Sequence, residues 1–138
     1  MTNKNKYLSA SEILAANDIQ IEELPVPEWG GVICVKTLQA DERDELEASM
    51  VVLSNTGQAK SMKLDHLRST IAYLGICDDK GNRLFTDKKD IAALGKKSAA
   101  ALDRVVSRIQ QMSAMSPADI ENLVAEIKND QSAALPTA

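Results

Sequence analysis

Histidine chemistry in this chain rests on one residue, His66, with Asp65 beside it in sequence. On a helix the two side chains point about 100° apart, and no partner nucleophile can be identified for a base at that position. His66 therefore reads as a lone surface histidine. The two cysteines, Cys34 and Cys77, have neither a C-x-x-C arrangement nor metal-ligand spacing. One His and two distant Cys do not make four convergent zinc ligands, and each thiol reads as a small apolar residue in a strand. Gly95-Lys96-Lys97-Ser98 has a superficial likeness to a phosphate loop. That motif needs Gly where Asp90 stands and Ser or Thr where Lys97 stands, so the reading fails. Asp78-Asp79-Lys80-Gly81-Asn82 misplaces Gly for a calcium loop and lacks alternating oxygen ligands, which leaves a turn. The carboxylates from Asp41 to Glu47 lie in an open, charged helical turn where nothing would separate their pKa values, and a solvated face accounts for them. Catalytic, metal-binding and cofactor-binding residues are therefore all assigned as none, and no enzyme activity is expected. Trp29, the single indole, sits beside Gly30-Gly31. It either anchors the core or makes contact with a partner, and the core reading is preferred.

These residues belong to a chain of 138, enough for one domain that buries roughly two-thirds of its unfolded surface. A hydrophobic content of 44% supports a packed core, and 3% aromatics make that core aliphatic. A net charge of −4 and an isoelectric point near 5.0 disfavour nucleic acid, whose phosphates call for clustered Lys and Arg. Lys88-Lys89 and Lys96-Lys97 lack interleaved aromatics and read as solvated helix faces. No run approaches the ~18 apolar residues of a membrane span, and no secretion signal is visible. The expectation is a reduced, cytoplasmic protein with no membrane partner.

Several elements can be placed from local signals. Ser9 stands three residues before Glu12, a capping box that starts a short helix from Ala10 to Ala16. Ile21 to Leu38 reads as a hairpin turning at Gly30-Gly31, and Pro25 and Pro27 put its first strand at an edge. A charged helix follows from Asp41, with Leu46, Met50 and Leu53 as its buried stripe, and Ser54 to Ser61 reads as a polar loop. Leu64, Leu67, Ile71 and Leu74 mark a further amphipathic helix, weakened at Gly75. Leu84-Phe85 can return on Ile76-Cys77 as a second short hairpin. Thr86 reads as the N-cap of a helix ending at a left-handed Gly95, and Ser98 as the cap of the next. Leu102, Val105, Val106, Ile109 and Met112 form one stripe. Ser116-Pro117 opens a last helix with Ile120, Leu123, Val124 and Ile127 on one side. The fold class is α+β: a mainly helical single domain over residues 8–128 with an N-terminal β-hairpin. Residues 1–7 and 129–138 read as flexible ends.

Two stretches are distinctive in wording. One is Pro27-Glu28-Trp29-Gly30-Gly31, followed by a strand and then by Ala40-Asp41-Glu42-Arg43-Asp44-Glu45-Leu46-Glu47. The other runs from Gly81-Asn82-Arg83-Leu84-Phe85-Thr86 through Ala93-Leu94-Gly95-Lys96-Lys97-Ser98-Ala99-Ala100-Ala101-Leu102-Asp103-Arg104-Val105. In this order they resemble the tail assembly chaperones of long-tailed bacteriophages, over about Ser11 to Ala125. Family sequences often carry Thr or Ser where this chain has Gln39, a helix cap weaker by up to about 1 kcal/mol. The resemblance implies a non-enzymatic chaperone that binds the tape measure protein and helps recruit major tail tube protein subunits. It also implies action in the host cytoplasm, absence from the mature virion, and a longer form made by programmed frameshifting. No catalytic residue or cofactor comes with it. A homo-oligomer is compatible with the sequence but not specified by it.

A physical mechanism fits that implication. A long helical protein with an apolar stripe aggregates unless covered, and an acidic domain can cover it while staying soluble through like-charge repulsion. Many weak contacts along one target suffice. The two C-terminal helices are expected to supply much of this surface, with Met112, Met115, Leu123 and Ile127 as candidate partner-binding residues beside Trp29; the adaptable methionines suit varied targets. The competing expectation is that these residues form the core. The rival from another class is a small regulatory protein binding another protein or DNA, which would need a basic face.

Overall fold

A strand that carries proline inside it lacks an amide where a sheet would use one, so it belongs at an edge. Strand β1 (Ile21–Val26) lies at the edge of a three-stranded antiparallel sheet ordered β1-β2-β3, with β2 (Gly31–Lys36) central and β3 (Ile76–Cys77) beyond it. The computed structural model describes residues 6–55 and 60–115, the side chains of 50–65 excepted. Thr37 N donates to Gln20 O, which makes that rung a hydrogen-bonded pair. Alternation along the ladder then puts Pro25, opposite Val32, in a non-hydrogen-bonded pair. The missing Pro25 amide falls on the open side of β1, where it removes a donor another strand could use. Between the strands, Pro27–Trp29 make one 3-10 turn, with Pro at its start. Gly30 closes it at φ 82°, a left-handed conformation that a residue with a Cβ adopts at a cost. Gly31 needs no such freedom and simply begins β2.

Five helices follow the sequence order among the described residues: α1 (Ala10–Ala15), α2 (Ala40–Asn55), α3 (Lys60–Gly75), α4 (Lys89–Leu94) and α5 (Ala99–Met112). Helix α3 lies at the centre, packed by α2, α4 and α5. From Ser69 to Gly75 every residue is buried, polar Ser69 and Thr70 included. The expected amphipathic stripe is therefore only part of what α3 buries. Ala72 and Gly75 let neighbours close in from the other sides. Gly75 permits the nearest approach: a Cβ there would stand 2.5 Å from Ile109 Cδ1 of α5. The aliphatic core joins Val26 and Val35 of the sheet, Leu46 of α2, Leu67, Ile71 and Leu74 of α3, and Leu102, Val105, Val106 and Ile109 of α5. At roughly 1.5–3 kcal/mol for each large apolar side chain removed from water, this burial is the main stabilising term.

The architecture is the expected α+β, mainly helical single domain with an N-terminal hairpin. Four local expectations need correction. The stretch Ser54 to Ser61 is not wholly a loop, since α2 runs through Asn55 and α3 begins at Lys60. Thr86 does not cap α4. Its N-cap is Lys88, with no side-chain cap bond, and the chain enters through a turn in which Asp87 Oδ1 accepts from Lys89 N at 3.0 Å. Gly95 ends that helix at φ −65°, right-handed rather than left-handed. Its lack of a Cβ matters for contact instead, because one would stand 2.9 Å from Ser69 Oγ. The second short hairpin shrinks to a single bridge between Cys77 and Arg83, with Leu84 N donating to Ile76 O at 3.2 Å. The side chains of Met50, Leu53 and Leu64, and the helix expected after Ser116-Pro117, lie outside the described residues.

Candidate interaction surface

The acidic run at the start of α2 does not form a uniformly solvated face. Glu42 is 3% exposed and meets Lys36 of β2, itself 3% exposed, in a buried ion pair. Its second oxygen accepts from Arg83 Nε at 2.8 Å, and Arg83 Nη2 reaches Glu45 Oε1 at 3.3 Å. The Arg83 guanidinium also stands 5.8 Å from the centre of the Tyr73 ring. Glu42 Oε1 further accepts the Gln39 amide at 2.8 Å. This is the reach-back half of a capping box, supplied although Gln39 gives no Ser or Thr hydroxyl. Burial pushes the Glu42 carboxyl up, but the Gln39 amide, Lys36 and Arg83 outweigh it and hold it below the usual carboxylate value. Asp41, Asp44 and Glu47 do face solvent. The physical reason for the correction is that the first turn of α2 lands on the end of β2, where Lys36 needs a counter-charge. The cluster ties sheet, helix and the 78–83 turn together, and every charge in it is matched. It is built for structure.

His66 is half-buried rather than on the surface, and burial lowers its pKa. The Asp78 turn is confirmed as one: Asp78 Oδ1 accepts from the amides of Lys80 and Asn82 at 2.8 and 2.9 Å, and Gly81 takes φ 89°. Among the described residues, no group of three or more His, Cys, Asp or Glu could hold a metal ion. No helix among them is long and apolar enough to cross a membrane.

Of the sequence candidates, Trp29 packs against the core with its indole Nε1 buried and without a hydrogen-bond partner. Beside it, Glu28 is gripped by both nitrogens of Arg104 at 2.8 and 2.7 Å, and Glu22 is gripped in the same way by Arg108. These forks fix the hairpin to α5. The α5 stripe is core: Leu102, Val105, Val106 and Ile109 are buried, and Met112 is half-buried against them. Met115 is buried as well. It follows Ala114, which has φ 56°, and the bonds Met115 N to Gln110 O and Ala114 N to Gln111 O complete a Schellman end. Met112 and Met115 thus finish the helix rather than offer an apolar face to solvent. Leu123 and Ile127 lie outside the described residues.

Among the described residues, the two most exposed large apolar side chains lie elsewhere, and sequence reasoning passed over them. Helix α1 is fully capped: Glu12 N donates to Ser9 Oγ, Ser9 N donates to Glu12 Oε1, and Lys6 pairs with Glu12 at 3.1 Å. Yet residues 6–18 are all exposed, and no α1 side chain is buried. Tyr7 is 90% and Leu14 86% exposed, with Leu8 and Ile13 more than half exposed. Such short helices are marginal alone, and tertiary packing normally holds them. The segment is rooted where Gln20 joins Thr37, whose hydroxyl reaches the carbonyl of Met112 at 3.5 Å. The root of α1 and the end of α5 therefore share one corner. A count of large apolar residues around the Ser9/Glu12 cap would have flagged this segment, because Tyr7, Leu8, Ile13 and Leu14 crowd around a helix of only six residues. No protein-family model matches the chain, and no curated protein or solved structure matches it.

Proposed function

We propose that the protein is a non-enzymatic tail assembly chaperone of a long-tailed phage, which binds the tape measure protein and helps recruit tail tube subunits in the host cytoplasm. One structural observation carries the binding part of this reading: α1 is capped at its start yet buries none of its side chains, and Ile13 and Leu14 on it, with Tyr7 and Leu8 just before it, are open to solvent. An apolar segment left open in this way marks a contact site. The wording of the Trp29 and Gly81–Val105 stretches supplies the identity of the partner. A chaperone of this kind covers the apolar stripe of a long helical protein by surface matching alone, and leaves when tube subunits replace it. The contact set moves accordingly from Met112 and Met115, which the core uses, to α1, with Leu123 and Ile127 still candidates.

The test is co-expression of the chain with the tape measure protein of the same genome, followed by co-purification. The wild-type chain retains the tape measure protein, and the Ile13→Asp/Leu14→Asp double variant, folded because neither side chain is buried, loses it. Retention by the folded variant moves the contact away from α1. If the wild-type chain fails to retain the tape measure protein, the chaperone reading is rejected.

A further inference from the structure

The only two cysteines of the chain, 43 positions apart, meet on one rung of the sheet: Cys34 of β2 pairs directly with Cys77 of β3. We propose that they form a modification site, a thiol pair that a low-molecular-weight disulfide such as oxidised glutathione closes into an intramolecular disulfide. The hydrogen bonds around Cys77 set the geometry. Asp78 N donates to Asn82 O and Leu84 N to Ile76 O, which makes Cys77–Arg83 a non-hydrogen-bonded pair and turns the Cys77 amide and carbonyl toward β2. Cys34–Cys77 is therefore a hydrogen-bonded pair, with Cα atoms about 5.5 Å apart. That separation lies inside the roughly 4.4–6.8 Å that disulfides span. Directly opposite residues point to the same face, so both thiols stand on one side of the sheet. The Cβ atoms of hydrogen-bonded pairs lie toward the wide end of about 4.5–5.5 Å, beyond the roughly 3.5–4.5 Å a disulfide takes, so closure requires β2 and β3 to draw together at this rung.

The two thiols differ in access. Cys34 is half-buried and can be reached by a small molecule, while Cys77 is fully buried. The order of steps follows from this. The Cys34 thiolate attacks one sulfur of the small disulfide. That S–S bond breaks, one small thiol leaves and takes up a proton, and Cys34 carries a mixed disulfide. The Cys77 thiolate then attacks Cys34 Sγ, the mixed disulfide breaks, and the second small thiol leaves. Two protein thiols are oxidised and one small disulfide is reduced to two thiols. Burial raises the pKa of both groups, Cys34 with added repulsion from Glu23 and Cys77 to about 11. The attacking form is scarce at neutral pH, so closure is slow there and speeds up about tenfold per pH unit as the thiolate fraction grows. Because β3 follows α3 without a break, the closed bridge ties the end of the central helix to the hairpin.

The experiment incubates the purified full chain with oxidised glutathione at pH 7.0 and 8.5, then measures free thiols and intact mass after denaturation. The expected product has no free thiol, a mass lower by the two lost hydrogens, and a peptide pair joining Cys34 to Cys77, formed faster at pH 8.5. The Cys77→Ser variant stops at the glutathione adduct on Cys34. The proposal is overturned if the wild-type chain accumulates that adduct with Cys77 still free, if it forms disulfide-linked dimers instead, or if both thiols survive a day at pH 8.5.

Discussion

Helices α1 and α5 carry equally clear start signals, Ser9 with Glu12 and Ser98 with the Ala101 amide, yet they occupy opposite ends of the packing scale. Helix α5 buries Ala101, Leu102, Val105, Val106 and Ile109 and is clamped to the hairpin through Arg104 and Arg108. Helix α1 buries nothing. A cap decides where a helix begins, because it satisfies amides that lack a partner in the first turn. It carries no information about what covers the apolar side. That is set by whether another element lies opposite, and for α1 no side chain is covered. The difference makes α5 part of the scaffold and leaves α1 uncovered.

The comparison predicts that damage spreads from the core side and stays local on the α1 side. The largest effect is expected at Glu42. Glu42→Ala leaves Lys36 buried without its counter-charge and the Gln39 amide without an acceptor, which should cost about 3–5 kcal/mol. Urea unfolding measures it, and a loss under ~1 kcal/mol would mean that Lys36 finds water without help. Next comes Ile109→Ala, expected to cost about 2–5 kcal/mol because the side chain is fully buried against Gly75. Leu14→Ala should stay within about 0.5 kcal/mol, as surface changes do. If the two variants unfold at the same denaturant concentration, α1 is packed in solution and the contrast fails.

These cases also explain what was legible in the sequence. The hairpin, its edge strand and the α5 start were readable because each rests on neighbours in sequence: Pro25, Gly30, and Ser98 three residues before Ala101. Glu42 was misread because its partners Lys36 and Arg83 are 6 and 41 positions away, and nothing in an acidic run distinguishes the carboxylate that turns inward. The signals available were Lys36 inside an apolar strand and the spacing from Gln39 to Glu42. Helix α3 was read as one-sided because periodicity counts large apolar residues. Its other sides are closed by Ser69, Ala72 and Gly75, small residues whose burial depends on elements far along the chain. The expectation of a contact surface on the two C-terminal helices rests on stripe length, and a long stripe looks alike whether a core or a partner covers it; the α5 stripe packs in the core, while Leu123 and Ile127 lie outside the described residues.

A smaller and sharper test exchanges the caps themselves. Ser98→Ala removes an acceptor at the start of a helix that the core depends on, so about 1 kcal/mol of global stability should be lost. Ser9→Ala removes the same kind of bond from α1. It should lower helical circular dichroism slightly and leave the unfolding midpoint where it was. Equal shifts in midpoint would show that α1 is coupled to the core.

A modest effect is expected on the clamps, and its sign follows from their carboxylates. The Arg104 fork, with help from backbone hydrogen bonding at Glu28 itself, holds the Glu28 carboxyl at about 2 against its ordinary 4.5, and Arg108 lowers Glu22 in the same direction. A carboxyl depressed by folding contributes stability above its unfolded pKa and loses it as pH falls toward the folded value. The Glu28 contribution is therefore whole above about pH 4.5 and fades down to about pH 2. Both pairs are largely solvent-exposed, so screening keeps the effect modest. The Arg104→Ala variant should lose stability less steeply than the wild-type chain across that window, and added salt should narrow the gap. Helix α1 titrates in the same direction through Glu12, whose carboxyl the Ser9 amide, Lys6 and the Ser9 hydroxyl lower. Acid should fray α1 without moving the midpoint, while at α5 it loosens the hairpin and moves the midpoint with it. A wild-type midpoint that is flat from pH 5 to 2.5 would mean that the forks add nothing to the docking of the hairpin, and that the apolar stripe of α5 holds it alone.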